Sequence, residues 1–121
     1  DFAPFYAIKE LLDFWNLRGT EEIQNHICEL NQTFQEELES SLGISALLPS
    51  CPSLQGPMTI FRVPEKMQSI GAQLSEWALS ELRVQMHFTP LTTGWHGVVS
   101  PHIYNSKEEV KILADRLKSL L

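Results

Sequence analysis

The sequence predicts an α+β fold: a two-layer sandwich in which a small, mostly antiparallel sheet of about three strands is covered by helices, in the order α-α-β-α-β-β-α. Three observations predict it. Apolar residues recur every three or four positions in four stretches, the spacing of one helix face. Three shorter runs carry strand patterns, the clearest being Val84, Met86 and Phe88 alternating with Arg83, Gln85 and His87. Gly and Pro fall between these stretches. A helix stripe and a sheet face must each be buried against another element, so layering follows.

The first helix is expected from Pro4 to Asn16, with Phe5, Ile8, Leu11, Leu12 and Trp15 along one stripe and Gly19 closing it. Pro4 suits a first helical position, where a missing amide is no loss. A second helix starts at Thr20, a good N-cap residue, with Glu21 and Glu22 at the positive end of the helix dipole. Its stripe is Ile23, Ile27, Leu30, Phe34, Leu38 and Leu42, and Gly43 supplies a left-handed C-terminal residue. Residues 44–57 hold Pro49, Pro52 and Pro57 and read as a connector. Met58 to Val63 is a strand ended by Pro64, and a third helix is expected over Glu65–Ser80 with Met67, Ile70, Leu74, Trp77 and Ala78 inward. The Arg83–Phe88 strand, a turn at Pro90–Gly94 and a strand at Trp95–Ser100 follow. The Met58 and Val84 strands are candidates to pair through a crossover, and the last two strands to form a hairpin. The last helix, Ser106–Leu121, opens on a capping box of Ser106 and Glu109 and turns Val110, Leu113, Leu117 and Leu120 inward.

At 121 residues the chain suffices for a single domain and one core. Its 43% hydrophobic and 20% charged residues are ordinary for a soluble globular protein. Nine Lys and Arg against fifteen Asp and Glu give a net charge of −6, which argues against nucleic-acid or anionic-membrane partners. The uncharged stretches between Glu39 and Arg62 and between Arg83 and Lys107 contain Pro and Gly, so no membrane span is expected. The start, Asp1-Phe2-Ala3-Pro4, has neither a secretory signal pattern nor an initiator Met, so an excised piece of a cytoplasmic (or organellar), non-secreted protein is expected. Cys28 and Cys51 lack metal or redox spacing and read as free thiols, with a single disulfide between them as the alternative.

Little chemistry is spelled out by residue pattern. The glycines are scattered singly, so there is no phosphate-cradling loop. His87, His96 and His102 have no acidic or thiolate ligand between them, and ordinary edge or turn histidines are expected rather than a metal site. Ser100 and His102 form an i, i+2 pair without an orienting acid, which is a poor basis for a hydrolase. Glu36, Glu37 and Glu39 read as a solvated helix face, and Trp15, Trp77, Phe34 and the Met residues as core. Trp95, in an uncharged turn-rich segment, is a candidate to line a cleft or an interface, with a structural filler as the equal alternative.

Two segments carry a family resemblance. The ending Val98-Val99-Ser100…Tyr104-Asn105-Ser106…Glu108-Glu109-Val110 resembles the Arg-Ile-Ser…Tyr-Asn-Thr…Glu-Glu-Ile ending of class V aminotransferase-like enzymes, which use pyridoxal phosphate (PLP). The start, Asp1-Phe2-Ala3-Pro4-Phe5-Tyr6 followed by Leu11-Leu12-Asp13-Phe14, is similar to the segment opening the C-terminal part of the isopenicillin N epimerase-like branch. The resemblance implies a small C-terminal domain that covers an active site and touches the mate in a homodimer. A large domain, absent here, would hold PLP on a lysine, and the substrate would be a small amino compound. None of Lys9, Lys66, Lys107, Lys111 and Lys118 follows a His as that lysine does, so the chain alone is expected to bind no PLP and to have no catalytic residue. The related cysteine desulfurases carry a Cys in the loop that is Phe88–Trp95 here, and its absence disfavours their chemistry. Where the pattern places a carboxylate-binding arginine, this chain has Val98, which cannot make that two-pronged contact. Either another group binds the carboxylate, or the substrate lacks one, or the parent is no longer a conventional amino-acid enzyme. Within the Thr92–Val99 segment and just beyond it, Trp95, His96, Val98 and Ser100 are the candidate cleft residues. The rival expectation is a stand-alone α+β module that binds a protein or ligand through its uncharged Arg83-to-Lys107 face.

Overall fold

A computed structural model of the protein describes residues 2–48 and 56–118. Cys51, Pro49, Pro52, Asp1 and Leu120 lie outside the described residues. The first helix is divided: α1 spans Ala3–Tyr6 and α2 spans Ile8–Arg18, joined at Ala7. Pro4 sits in the opening turn, and Gly19, with φ +86°, closes α2. α3 spans Thr20–Glu37 and widens into a π-helical turn at Leu38–Leu42. Thr20 is not its cap. Gly19 flanks the helix and no side chain caps it, so Thr20 falls inside the first turn. The expected stripe from Ile23 to Leu42 is buried throughout, and Gly43 ends it with φ +64°.

β1 (Thr59–Arg62), β2 (His87–Leu91) and β3 (Gly94–Val99) form an antiparallel sheet in the order β1-β3-β2. β3 lies between the other two, so β1 and β2 are not neighbours and the anticipated crossover pairing is absent. The register places Ile60 and His87 on either side of Val98, and Arg62 and Thr89 on either side of His96. The second strand begins later than its alternation suggested. Met86 and Phe88 are buried while Arg83, Gln85 and His87 are exposed, as the pattern requires. Yet Arg83 has φ +55° and the Val84 amide bonds Ala78 O, so residues 83–86 leave the preceding helix before the ladder starts. The ladder then runs through Pro90, expected in a turn. An edge strand tolerates a residue with no amide to donate, and β2 is an edge. The hairpin turn is Thr92–Thr93 alone, with Gly94 at φ +111°.

The expected Glu65–Ser80 helix is a 3-10 run, Glu65–Gln73, broken at Ile70 (φ −106°, ψ 17°), followed by α4, Leu74–Ser80. The reason lies across the sheet. A Cβ on Gly71 would stand 2.2 Å from the Trp95 ring, so backbone and indole meet directly. Gln68 locks the contact: its Oε1 accepts from the Trp95 amide at 2.6 Å, and its Nε2 donates to Val63 O at 2.6 Å. α5, Lys107–Leu117, opens on the expected capping box, with Ser106 Oγ accepting from the Glu109 amide and Glu109 from the Ser106 amide.

Helices lie on one face of the sheet. The core between them gathers Leu30, Phe34, Leu38, Phe61, Leu74 and Leu117. Phe34 and Phe61 meet edge-on at 6.0 Å, a geometry worth about 0.5–1.5 kcal/mol beyond the area buried. A buried polar chain ties α3 to β1: Asn31 Nδ2 donates to Ile27 O, Thr59 Oγ1 to Asn31 Oδ1, and Gln35 Nε2 to Thr59 Oγ1. Met58, expected inside, is exposed, and Trp15 is half-buried outside the core. α1 and α2 depart furthest from a globular pattern. Phe5 is 69% exposed, Leu12 57% and Leu17 86%, and no residue of either helix is buried.

Candidate functional site: the open face of the sheet

Alternation along β3 sorts its side chains into two sets. Gly97 and Val99 face the helices: Val99 joins the core, and a Cβ on Gly97 would lie 2.6 Å from the Phe61 ring. Trp95 shares that face and packs on Gly71 and the core, so it does not line the opposite side. His96 and Val98 point the other way, where no helix covers the sheet. Their register partners join them: Ile60 and Arg62 from β1, His87 and Thr89 from β2. Val98 and Ile60 are half-buried and His87 and Arg62 exposed, so this face is open to solvent.

Arg62 dominates it. Its Nε donates to Thr93 O at 3.0 Å and its Nη2 to Glu65 Oε2 at 3.0 Å. The guanidinium is thereby pinned at the hairpin turn while its side chain stays 52% exposed. His96, fully buried despite its polarity, is held by its own turn. A carbonyl can only accept, so His96 Nδ1 donates to Gly94 O at 2.8 Å, and Nε2 lies 3.3 Å from Thr93 Oγ1. The imidazole is therefore a rigid strut under the hairpin with no free edge.

Ser100 is exposed just past the end of β3, and no hydrogen bond joins it to His102, because the strand stops before either residue. His102 meets Trp15 edge-on at 6.2 Å and stacks on Tyr104 at 5.2 Å, leaving its buried Nδ1 without a hydrogen-bond partner. His87 and His96 share the open face and His102 does not; no group of three potential metal ligands forms among the described residues. The five lysines are exposed on helical segments, and Lys9, Lys107 and Lys118 are paired with Asp13, Glu29 and Asp115. Glu36 and Glu39 are exposed and Glu37 half-buried, a helix surface.

A separate groove of about 570 Å³ runs between α2, α3 and the loop before α5, lined by Arg18, Glu22, Asn25, His26, Glu29 and Ile103 among others. His26 Nε2 donates across it to Asn105 O at 3.0 Å. The Lys107 ammonium, hydrogen-bonded to Glu29, holds that carboxyl below its ordinary pKa. Sequence reasoning missed both this groove and Arg62. Each depends on residues about thirty to eighty positions apart, and the sole local sign for Arg62 was a charge at the end of an otherwise uncharged strand.

No family model matches the chain. Two curated relatives do. The chain is 30% identical to isopenicillin N epimerase of Amycolatopsis lactamdurans over 120 residues, which is 99% of this chain and 30% of the relative. It is 28% identical to isopenicillin N epimerase of Streptomyces clavuligerus over the same span, with the same shares. The likeness read from the two ends thus extends along the whole chain, which spans about 30% of the length of these relatives. No helix among the described residues is long and apolar enough to cross a membrane.

Proposed function

We propose that this chain is the small C-terminal domain of a PLP-dependent class V aminotransferase-like enzyme of the isopenicillin N epimerase branch, covering the active site and meeting the mate of a homodimer. The observation that carries the reading is the match itself: nearly all of this chain aligns with less than a third of each relative. The apolar surface of α1 and α2 supports it. Ile8, Leu11, Leu12, Phe14 and Leu17 are all exposed on α2, and an exposed apolar patch of that size normally meets protein.

The described residues do not fit PLP. A Schiff-base lysine needs a desolvated pocket that lowers its proton affinity, and every lysine here is exposed on a helical segment. No step of the reaction is assigned to this chain. In the parent enzyme PLP would act as the electron sink for a carbanion at the substrate α-carbon, held by a lysine of the large domain. The role of this domain is to present the open face of the sheet toward a small amino compound, with Val98 at its centre and the Thr92–Val99 hairpin at its rim. Trp95 serves that face from behind by fixing the hairpin to Gly71.

The test is the visible absorbance of the full-length protein. A band from lysine-bound PLP, lost on mutation of a lysine upstream of Asp1, is the expected result. Full-length protein that acquires no such band when supplied with PLP would exclude the proposal.

A further inference from the structure

We infer that the groove between α2, α3 and the loop before α5 is a binding site for a small aliphatic zwitterion, with an amine and a carboxylate carried on one carbon, apart from the open face of the sheet. The residues lining it come from α2, α3 and that loop, and none from a strand. Its volume of about 570 Å³ falls within the range of about 300–1,000 Å³ that small-molecule sites occupy.

The break between the two helices creates the charge pattern. Arg18 ends α2, and Glu22 lies in the first turn of α3. Opposite charges four apart on one helix lie side by side and pair, but Gly19 interrupts the helix between these two with φ +86°. Both line the groove, and among the described residues neither side chain has a hydrogen-bond or ion-pair partner. Further along, the charges already cancel, because the Lys107 ammonium holds Glu29 at 2.5 Å. His26 is committed as well: its Nε2 donates to Asn105 O at 3.0 Å and ties the loop to α3. What the groove leaves free among the described residues is a guanidinium, a carboxylate and the Asn25 amide. The apolar part of the lining is Ile23, which is 4% exposed, and the half-buried Ile103.

That lining selects the ligand. A lone anion at Arg18 would meet the Glu22 carboxylate, and a lone cation at Glu22 would meet the guanidinium. A zwitterion satisfies both, its carboxylate taking the planar edge of Arg18 and its ammonium donating to Glu22. An aliphatic group on the same carbon covers Ile23 and Ile103.

The experiment uses full-length protein with N,N-dimethylleucine as the probe. Isocaproic acid and N,N-dimethylisoamylamine are the analogues that lack the amine and the carboxylate. A tertiary amine forms no imine with an aldehyde, so the probe reads this site without PLP chemistry. Calorimetry of wild type should show the zwitterion bound at least about tenfold more tightly than either analogue. Arg18→Gln and Glu22→Gln should each weaken the probe about tenfold, and Arg18→Lys should recover part of the first loss. Asn25→Trp, which fills the groove, should abolish binding. All three positions are exposed, and equal urea midpoints would show that the variants fold. Wild type that binds no probe, or binds it no better than the analogues, overturns the inference. So does binding that survives Arg18→Gln, Glu22→Gln and Asn25→Trp unchanged, which would put the probe elsewhere. None of these readouts uses the PLP band, so failure here leaves the proposed function standing.

Discussion

At the scale of single residues, two glycines set the shape of the candidate site. Gly97 leaves room for the Phe61 ring, which would lie 2.6 Å from any Cβ placed there. Gly71 does the same for Trp95. Neither adopts a left-handed conformation, so their value is space and not backbone freedom. Gly97→Ala is expected to destabilise the fold by about 1–3 kcal/mol, the range for overpacking a close-packed core, read as a lower urea midpoint at unchanged slope. Unaltered stability would mean that Phe61 can swing away. The fully buried His96 looks at first like a reactive group, yet both ring nitrogens face partners within the hairpin, which marks it as a support. Its role could not be read from the sequence because Gly94 and Thr93 approach it only after the turn has formed.

Among the elements, legibility followed local signals. α5 could be read in advance because a capping box is a contract between residues three apart, and both of its hydrogen bonds form. Ser106→Ala should therefore cost about 1 kcal/mol, seen in denaturant unfolding. A loss of that size should also appear with Ser106→Val, and little loss with Ser106→Asp, since only the acceptor matters. α3 was equally legible through its long stripe, whereas its start was misassigned because Gly19, not Thr20, occupies the cap position. The Glu65–Ser80 segment has a fair helical stripe but meets Trp95 and Gln68 contacts that pull its first half into a 3-10 run. β2 slid toward Pro90 because β3 entered the centre of the sheet and left β2 an edge, where proline is tolerated.

For the molecule as a whole, the main asymmetry is between a closed core and an apolar N-terminal pair of helices left outside it. Sixteen large hydrophobic residues among those described are well exposed, and half of them lie between Phe2 and Leu17. That concentration is not scattered variation, and under the proposed function it is the surface that meets the rest of a larger protein. Replacing Leu11 and Leu12 together by Gln should leave this domain folded, since neither contributes to its core. On the proposed reading, the same change in the full-length protein should loosen this part from the remainder and hasten proteolytic separation of the two. Unchanged protease resistance would show that this surface docks nowhere.

The sequence by itself determined the α+β class, the element order, the buried stripe of α3, the capped α5, the hairpin, and a kinship now seen along the full chain. All of these rest on local periodicity, capping chemistry or residue identity, which neighbours in the chain already contain. Tertiary structure decided that β3 is central, that Trp95 faces the helices, and that Arg62 and Val98 share an uncovered face. Those facts depend on strand register, and a register is a relation between distant segments. Shifting it by one residue would send every side chain to the opposite face.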